Sequence, residues 1–100
     1  MEIKQVAATG TLESSDCIIV IKPAEEEGIH IELESIVKTT FGEQIVDSVR
    51  DVIQSFGISK CFVQINDKGA IDCVIRARTK AAVCRAAGIA YNWKEEDVNG

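Results

Sequence analysis

The segment Cys17-Ile18-Ile19-Val20-Ile21-Lys22 is apolar on both faces and rich in β-branched residues, which predicts a strong strand. Ile29-His30-Ile31-Glu32-Leu33-Glu34 alternates with period two and predicts another strand, with Ile29, Ile31 and Leu33 turned inward. Val6 to Leu12 predicts a weaker strand broken by Gly10. Cys61-Phe62-Val63-Gln64-Ile65-Asn66 and Ile71-Asp72-Cys73-Val74-Ile75 read as two further strands, with Asp67-Lys68-Gly69-Ala70 between them as a hairpin connection. The period becomes helical from Glu43 to Phe56, where Ile45, Val46, Val49, Val52, Ile53 and Phe56 fall within about 120° of arc. Gly57 is placed to end that helix. A second, alanine-rich helix is predicted from about Arg78 to Ala87, ended by Gly88.

The order β-β-β-α-β-β-α predicts an α+β fold: a two-layer sandwich of an antiparallel sheet, four to five strands, with two helices on one face. Residues 1–91 are expected to form a single domain, and 92–100 a mobile acidic tail anchored at most by Trp93. Pro23 and the run Glu25-Glu26-Glu27-Gly28 mark a surface loop.

Composition narrows the function. A chain of 100 residues, 46% hydrophobic and 27% charged, suits one globular domain with a single core. Eleven Lys+Arg against sixteen Asp+Glu give a net charge of −5, which argues against a nucleic-acid binder, since that would need a basic face to neutralise phosphates. No window is apolar enough to cross a membrane, and the Met1-Glu2-Ile3-Lys4-Gln5 start lacks the order of a signal peptide. The expected location is the cytoplasm. There the four cysteines, Cys17, Cys61, Cys73 and Cys84, are expected as reduced thiols, the first three on strands and Cys84 on a helix. They form no CxxC pair, and with one histidine in the chain a metal site is not expected. His30, between Ile29 and Ile31, is expected to face solvent. No nucleophile–base constellation is visible, so the chain is not expected to be a catalyst on its own.

Between the first two strands lies Gly10-Thr11-Leu12-Glu13-Ser14-Ser15-Asp16, a hairpin tip with a hydroxyl at its apex. By turn chemistry alone it is only a turn. This motif resembles the N-terminal motif of the acyl carrier (γ) subunit of bacterial citrate lyase. Asp67-Lys68-Gly69-Ala70-Ile71-Asp72-Cys73-Val74-Ile75-Arg76-Ala77-Arg78 is similar to the same family's hairpin and the approach to its last helix. Phe41-Gly42-Glu43, the overall length and Trp93 with its acidic neighbours fit as well.

The resemblance implies that Ser14 carries a phosphoribosyl-dephospho-coenzyme A, joined through a phosphodiester, whose thiol holds acetyl or citryl groups. It further implies citrate lyase α and β subunits as partners in citrate fermentation. The α subunit exchanges acetyl for citryl, and the β subunit cleaves the citryl thioester to oxaloacetate. A prosthetic-group transferase and an acetylating ligase are implied as further partners. The residue after the modified serine is commonly Gly in that family and is Ser15 here; Leu12-Glu13 and Asp16 set the register in favour of Ser14.

Other candidates compete. Asp47-Ser48-Val49 resembles the Asp-Ser-Leu of phosphopantetheine carriers, but those are helical bundles, and Ser48 falls mid-helix about 95° from the centre of the apolar stripe. Arg76, Arg78, Lys80 and Arg85 form the local excess of positive charge. They are read either as contacts for the group's phosphates or a partner's acidic patch, or as a solvated helix face; the second is expected. Cys17 lies three residues from Ser14, but it has no His or Lys neighbour to lower its pKa and is expected to be buried. The alternative function is a scaffold module without a covalent cofactor, docking partners through Ile18 and Val20 on the sheet face that the helices leave open.

Overall fold

The computed structural model describes residues 1–35 and 38–89. Its elements are β1 (Ala7–Gly10), β2 (Cys17–Lys22), β3 (Gly28–Ser35), α1 (Lys38–Ser55), β4 (Lys60–Asp67) and α2 (Asp72–Ala87). The four strands form one sheet in the order β1-β2-β4-β3. β2 and β4 lie in its middle, and their alternation is the core pattern: Cys17, Ile19 and Ile21 on one strand and Cys61, Val63 and Ile65 on the other are buried. Each fully buried Ile or Val here contributes about 1.5–3 kcal/mol relative to an exposed one.

Both helices lie on that buried face, so the α+β class and the placement of the helices hold. α1 turns Ile45, Val49, Val52 and Ile53 inward, and Val83, Ala82 and Ala86 of α2 complete the core. α1 packs on β3, and α2 packs on β1 and β2. Gly57, with φ 74° and its N–H bonded to the Gln54 carbonyl at 2.9 Å, ends α1 as expected.

Two expectations are corrected. The sheet is mixed, because β3 pairs parallel to β4 through Ile29↔Cys61, Ile31↔Val63 and Leu33↔Ile65. A parallel pair needs a long crossover, and α1 is that crossover. Ile71–Ile75 is not a strand but the entry to α2, which begins at Asp72, so Cys73 lies on a helix and Asp67–Ala70 is a strand-to-helix connection rather than a hairpin. The Asp67 carboxylate accepts the Ala70 N–H at 2.9 Å and the Ser35 hydroxyl at 2.7 Å, which turns the chain out of β4. Asp72 then lies in the first turn of α2, where the helix dipole favours an acid, and pairs with Arg76 four residues on at 2.8 Å. Phe41-Gly42-Glu43 falls within α1, which starts five residues before Glu43. The domain end at 91, the tail 92–100 and Trp93 lie outside the described residues.

Candidate modification site

β1 must end very close to β2, and Gly10 is what permits it. Its φ is 95°, and a Cβ there would stand 1.7 Å from the Cys17 carbonyl oxygen. Beyond it the chain closes a four-residue turn from Glu13 to Asp16, with the Asp16 N–H bonded to the Glu13 carbonyl at 3.1 Å. Ser14 is the second residue of the turn. Ser15 is the third and has φ 66°, the left-handed conformation that Gly adopts at least cost. Gly, which the resemblance implies after the attachment serine, would hold this conformation more readily than Ser15 does.

The backbone on the C-terminal side of Ser14 is fixed to the connection after β4. The Ser15 N–H donates to the Lys68 carbonyl and the Lys68 N–H to the Asp16 carbonyl, each at 2.9 Å. The Asp16 carboxylate gathers the rest. It accepts the Cys17 N–H at 2.8 Å, the Thr11 hydroxyl at 2.7 Å, and both Nε and Nη2 of Arg78 at 3.1 and 2.8 Å. These donors, Arg78 first, hold its carboxyl well below the usual carboxylate range. Ser14 itself is exposed, and its hydroxyl makes no hydrogen bond among the described residues. The site is a fixed backbone with a free hydroxyl.

A profile described as ACP, malonate decarboxylase delta subunit (MdcD), matches residues 4–86. The citrate lyase acyl carrier protein of Streptococcus equi subsp. zooepidemicus (strain H70) is 49% identical over 98 residues, covering 97% of this chain and 96% of that protein. The chain belongs to the citrate lyase acyl carrier protein family. The protein of that name from Escherichia fergusonii is 52% identical over 87 residues, 87% of this chain and 90% of its own length. The fold is shared with a chain in the crystal structure of a Pseudomonas malonate decarboxylase hetero-tetramer in complex with malonate. That match has a TM-score of 0.70 at 16% identity and covers 86% of this chain and 88% of that one.

In this acyl carrier family member the competing serine is placed very differently. Ser48 is buried on α1, and its hydroxyl donates to Asp72 at the start of α2. That bond, more than the Arg76 guanidinium, lowers the Asp72 pKa. All four cysteines are free. Cys17 is fully buried, and burial, with Asp16 and Asp67 adding to it, pushes its thiol up to about 11. A thiol that stays protonated at neutral pH is a poor nucleophile, so Cys17 is inert despite its nearness to Ser14. Cys61 is raised to about 11 by burial alone. Cys73 is exposed on α2, and His30 is exposed on β3.

Arg85 is exposed, in keeping with a solvated helix face, but each of the three arginines is also tied to another element of the fold. Arg76 pairs with Asp51 and Asp72, each at 2.8 Å, and ties α2 to α1. Arg85 donates to the Ala8 carbonyl at 3.0 Å and ties α2 to β1. Arg78 holds Asp16, 62 residues away in sequence. No local spacing reveals such a pair; the available hint was a lone acid at the end of the serine turn and a shared helical face for Arg78 and Arg85. On the other side of the sheet Ile18 and Val20 are half-buried and lie in a shallow open groove of about 390 Å³ with Leu12, Gln64, Asn66 and Glu32. Among the described residues no group of His, Cys, Asp or Glu could hold a metal ion, and no helix is long and apolar enough to cross a membrane.

Proposed function

We propose that this chain is the acyl carrier subunit of a citrate lyase, and that Ser14 bears phosphoribosyl-dephospho-coenzyme A through a phosphodiester. The observation that carries the reading is the exposed, unbonded Ser14 hydroxyl on a backbone-fixed turn, in a chain 49% identical to a citrate lyase acyl carrier protein. The group suits the site: the hydroxyl has no competing partner, and β1 and β2 lead away from it, so a long arm leaves without crossing the core. When bound, the group supplies the thiol on which acetyl and citryl thioesters are carried.

The chain's own residues do the holding. Asp16, Thr11 and Arg78 fix the turn, and the buried Cys17 stays out of thiol exchange. The citrate lyase α and β subunits are the partners that perform acyl exchange and citryl cleavage in the cytoplasm, and a transferase and an acetylating ligase load the arm. Tethering makes each encounter intramolecular, with effective concentrations in the mM range when the arm matches the span between sites. The scaffold alternative uses the uncovered face at Ile18 and Val20 and differs in leaving Ser14 unmodified.

The test is loading of the unmodified chain by the purified transferase. Wild type, Ser15→Ala and Ser48→Ala are expected to gain one group, and Ser14→Ala none. A reconstituted complex containing Ser14→Ala is expected to cleave no citrate. Uptake by Ser14→Ala but not by Ser15→Ala would move the site to the neighbour.

A further inference from the structure

We propose that Arg78 is the positioning residue for Ser14: its two-pronged grip on Asp16 holds the Glu13–Asp16 turn in the conformation that the modifying transferase accepts. The proposal rests on the reading of Ser14 as the attachment site. Attachment forms a bond between Ser14 Oγ and the phosphorus of the donor and breaks the donor's phosphoanhydride. The hydroxyl proton passes to a base of the transferase, and the phosphate leaving group departs. Nothing on this chain activates the oxygen, so its contribution is geometric.

That geometry is demanding. Ser15 holds a left-handed φ of 66° without being Gly, so the turn is one a free peptide rarely adopts. The guanidinium fork supplies what the peptide lacks. Nε meets Asp16 Oδ1 at 3.1 Å and Nη2 meets Oδ2 at 2.8 Å, while the same two oxygens accept the Cys17 N–H and the Thr11 hydroxyl. Thr11 in turn accepts the Glu13 N–H at 3.2 Å, which carries the restraint to the residue before Ser14. Arg78 is itself fixed, because its carbonyl accepts the hydroxyl of buried Thr9 at 2.7 Å. The helix therefore grips β1 through its backbone and the turn through its side chain. A turn ordered in advance spares the transferase the cost of ordering it on docking. The Arg78 side chain is 39% exposed, so solvent screening keeps the pair's contribution to global stability modest, and its main effect falls on the turn.

The experiment compares transferase kinetics on the unmodified chain carrying Arg78→Gln, Arg78→Lys or Arg76→Gln, with amide hydrogen exchange on the same proteins. Arg78→Gln is expected to lower kcat/KM roughly ten- to hundredfold, mainly through KM for the carrier, with a melting temperature near wild type. Arg78→Lys, a point charge without the fork, is expected to fall between, and Arg76→Gln, the same charge lost on the same helix, to match wild type. Exchange at the Ser15 and Lys68 amides should quicken most in Arg78→Gln, less in Arg78→Lys and not in Arg76→Gln. Equal losses in Arg78→Gln and Arg76→Gln would overturn the proposal in favour of general charge attraction to the transferase. Wild-type loading with unchanged Arg78→Gln kinetics overturns this role alone. A wild type that takes up no group overturns the attachment reading and this role together.

Discussion

Ser14 and Ser48 both lie near an aspartate in the chain, and the fold puts them to opposite uses. Ser14 sits at an exposed turn whose backbone is tied to Lys68 and whose neighbour Asp16 is held by Arg78, while its own hydroxyl is left unbonded among the described residues. Ser48 sits inside α1, buried, with its hydroxyl committed to Asp72 at the entry to α2. At one serine every bond goes to the frame and none to the hydroxyl. At the other the hydroxyl is the bond. A serine that another enzyme must reach needs the first arrangement, and one that joins two helices needs the second.

The comparison can be broken most severely at Gly10. Gly10→Ala places a Cβ 1.7 Å from the Cys17 carbonyl oxygen on a residue with φ 95°, and should cost about 2–4 kcal/mol in urea unfolding. A cost below about 0.5 kcal/mol would mean that β1 need not run so close to β2. Next comes Ser48→Ala, which removes a buried donor from Asp72 and should cost about 1–2 kcal/mol while leaving uptake of the group at wild-type rate.

Acid should act on the Ser14 side through Asp16. Its folded-state pKa lies below its ordinary value of 3.8, chiefly because of Arg78. The folded chain therefore binds this proton more weakly than the unfolded chain. The stability so gained is complete above about pH 5 and is lost as pH falls through 3.8 toward the lower folded value. Asp16→Asn should flatten that part of the acid unfolding curve, and Arg78→Gln should raise the Asp16 titration seen by carboxyl NMR. The smallest effect is expected at Ser14 itself, where Ser14→Ala should change stability by no more than about 0.5 kcal/mol, because its hydroxyl bonds to none of the described residues. A larger loss would show that the hydroxyl belongs to the frame.

Much of this was legible in the sequence where burial and period agree. Cys17–Lys22 and Lys60–Asp67 are the central strands because their alternating residues fill the core, and Val49 and Ile53 mark the inner stripe of α1. The entry to α2 misled because Ile71, Cys73 and Ile75 alternate over five residues, too short a span to separate a strand from a helix. In the structure only Ile75 of the three is buried, while Ile71 is 65% exposed; the Asp72–Arg76 spacing was the helical signal. The parallel pairing of β3 with β4 was equally hidden, since alternation gives a strand's faces and not its neighbours. The Ser14 turn was visible as a motif, whereas its hold by Arg78 depends on where α2 docks, which only the fold decides.

The central claim is tested most directly by the intact mass of protein purified from its native host, followed by fragmentation. The account predicts a chain heavier than its sequence by one phosphoribosyl-dephospho-coenzyme A, with the added mass confined to the Leu12–Asp16 segment and carried by Ser14. An unmodified chain that still supports citrate cleavage, or a group found on the Ser48 segment, would contradict it.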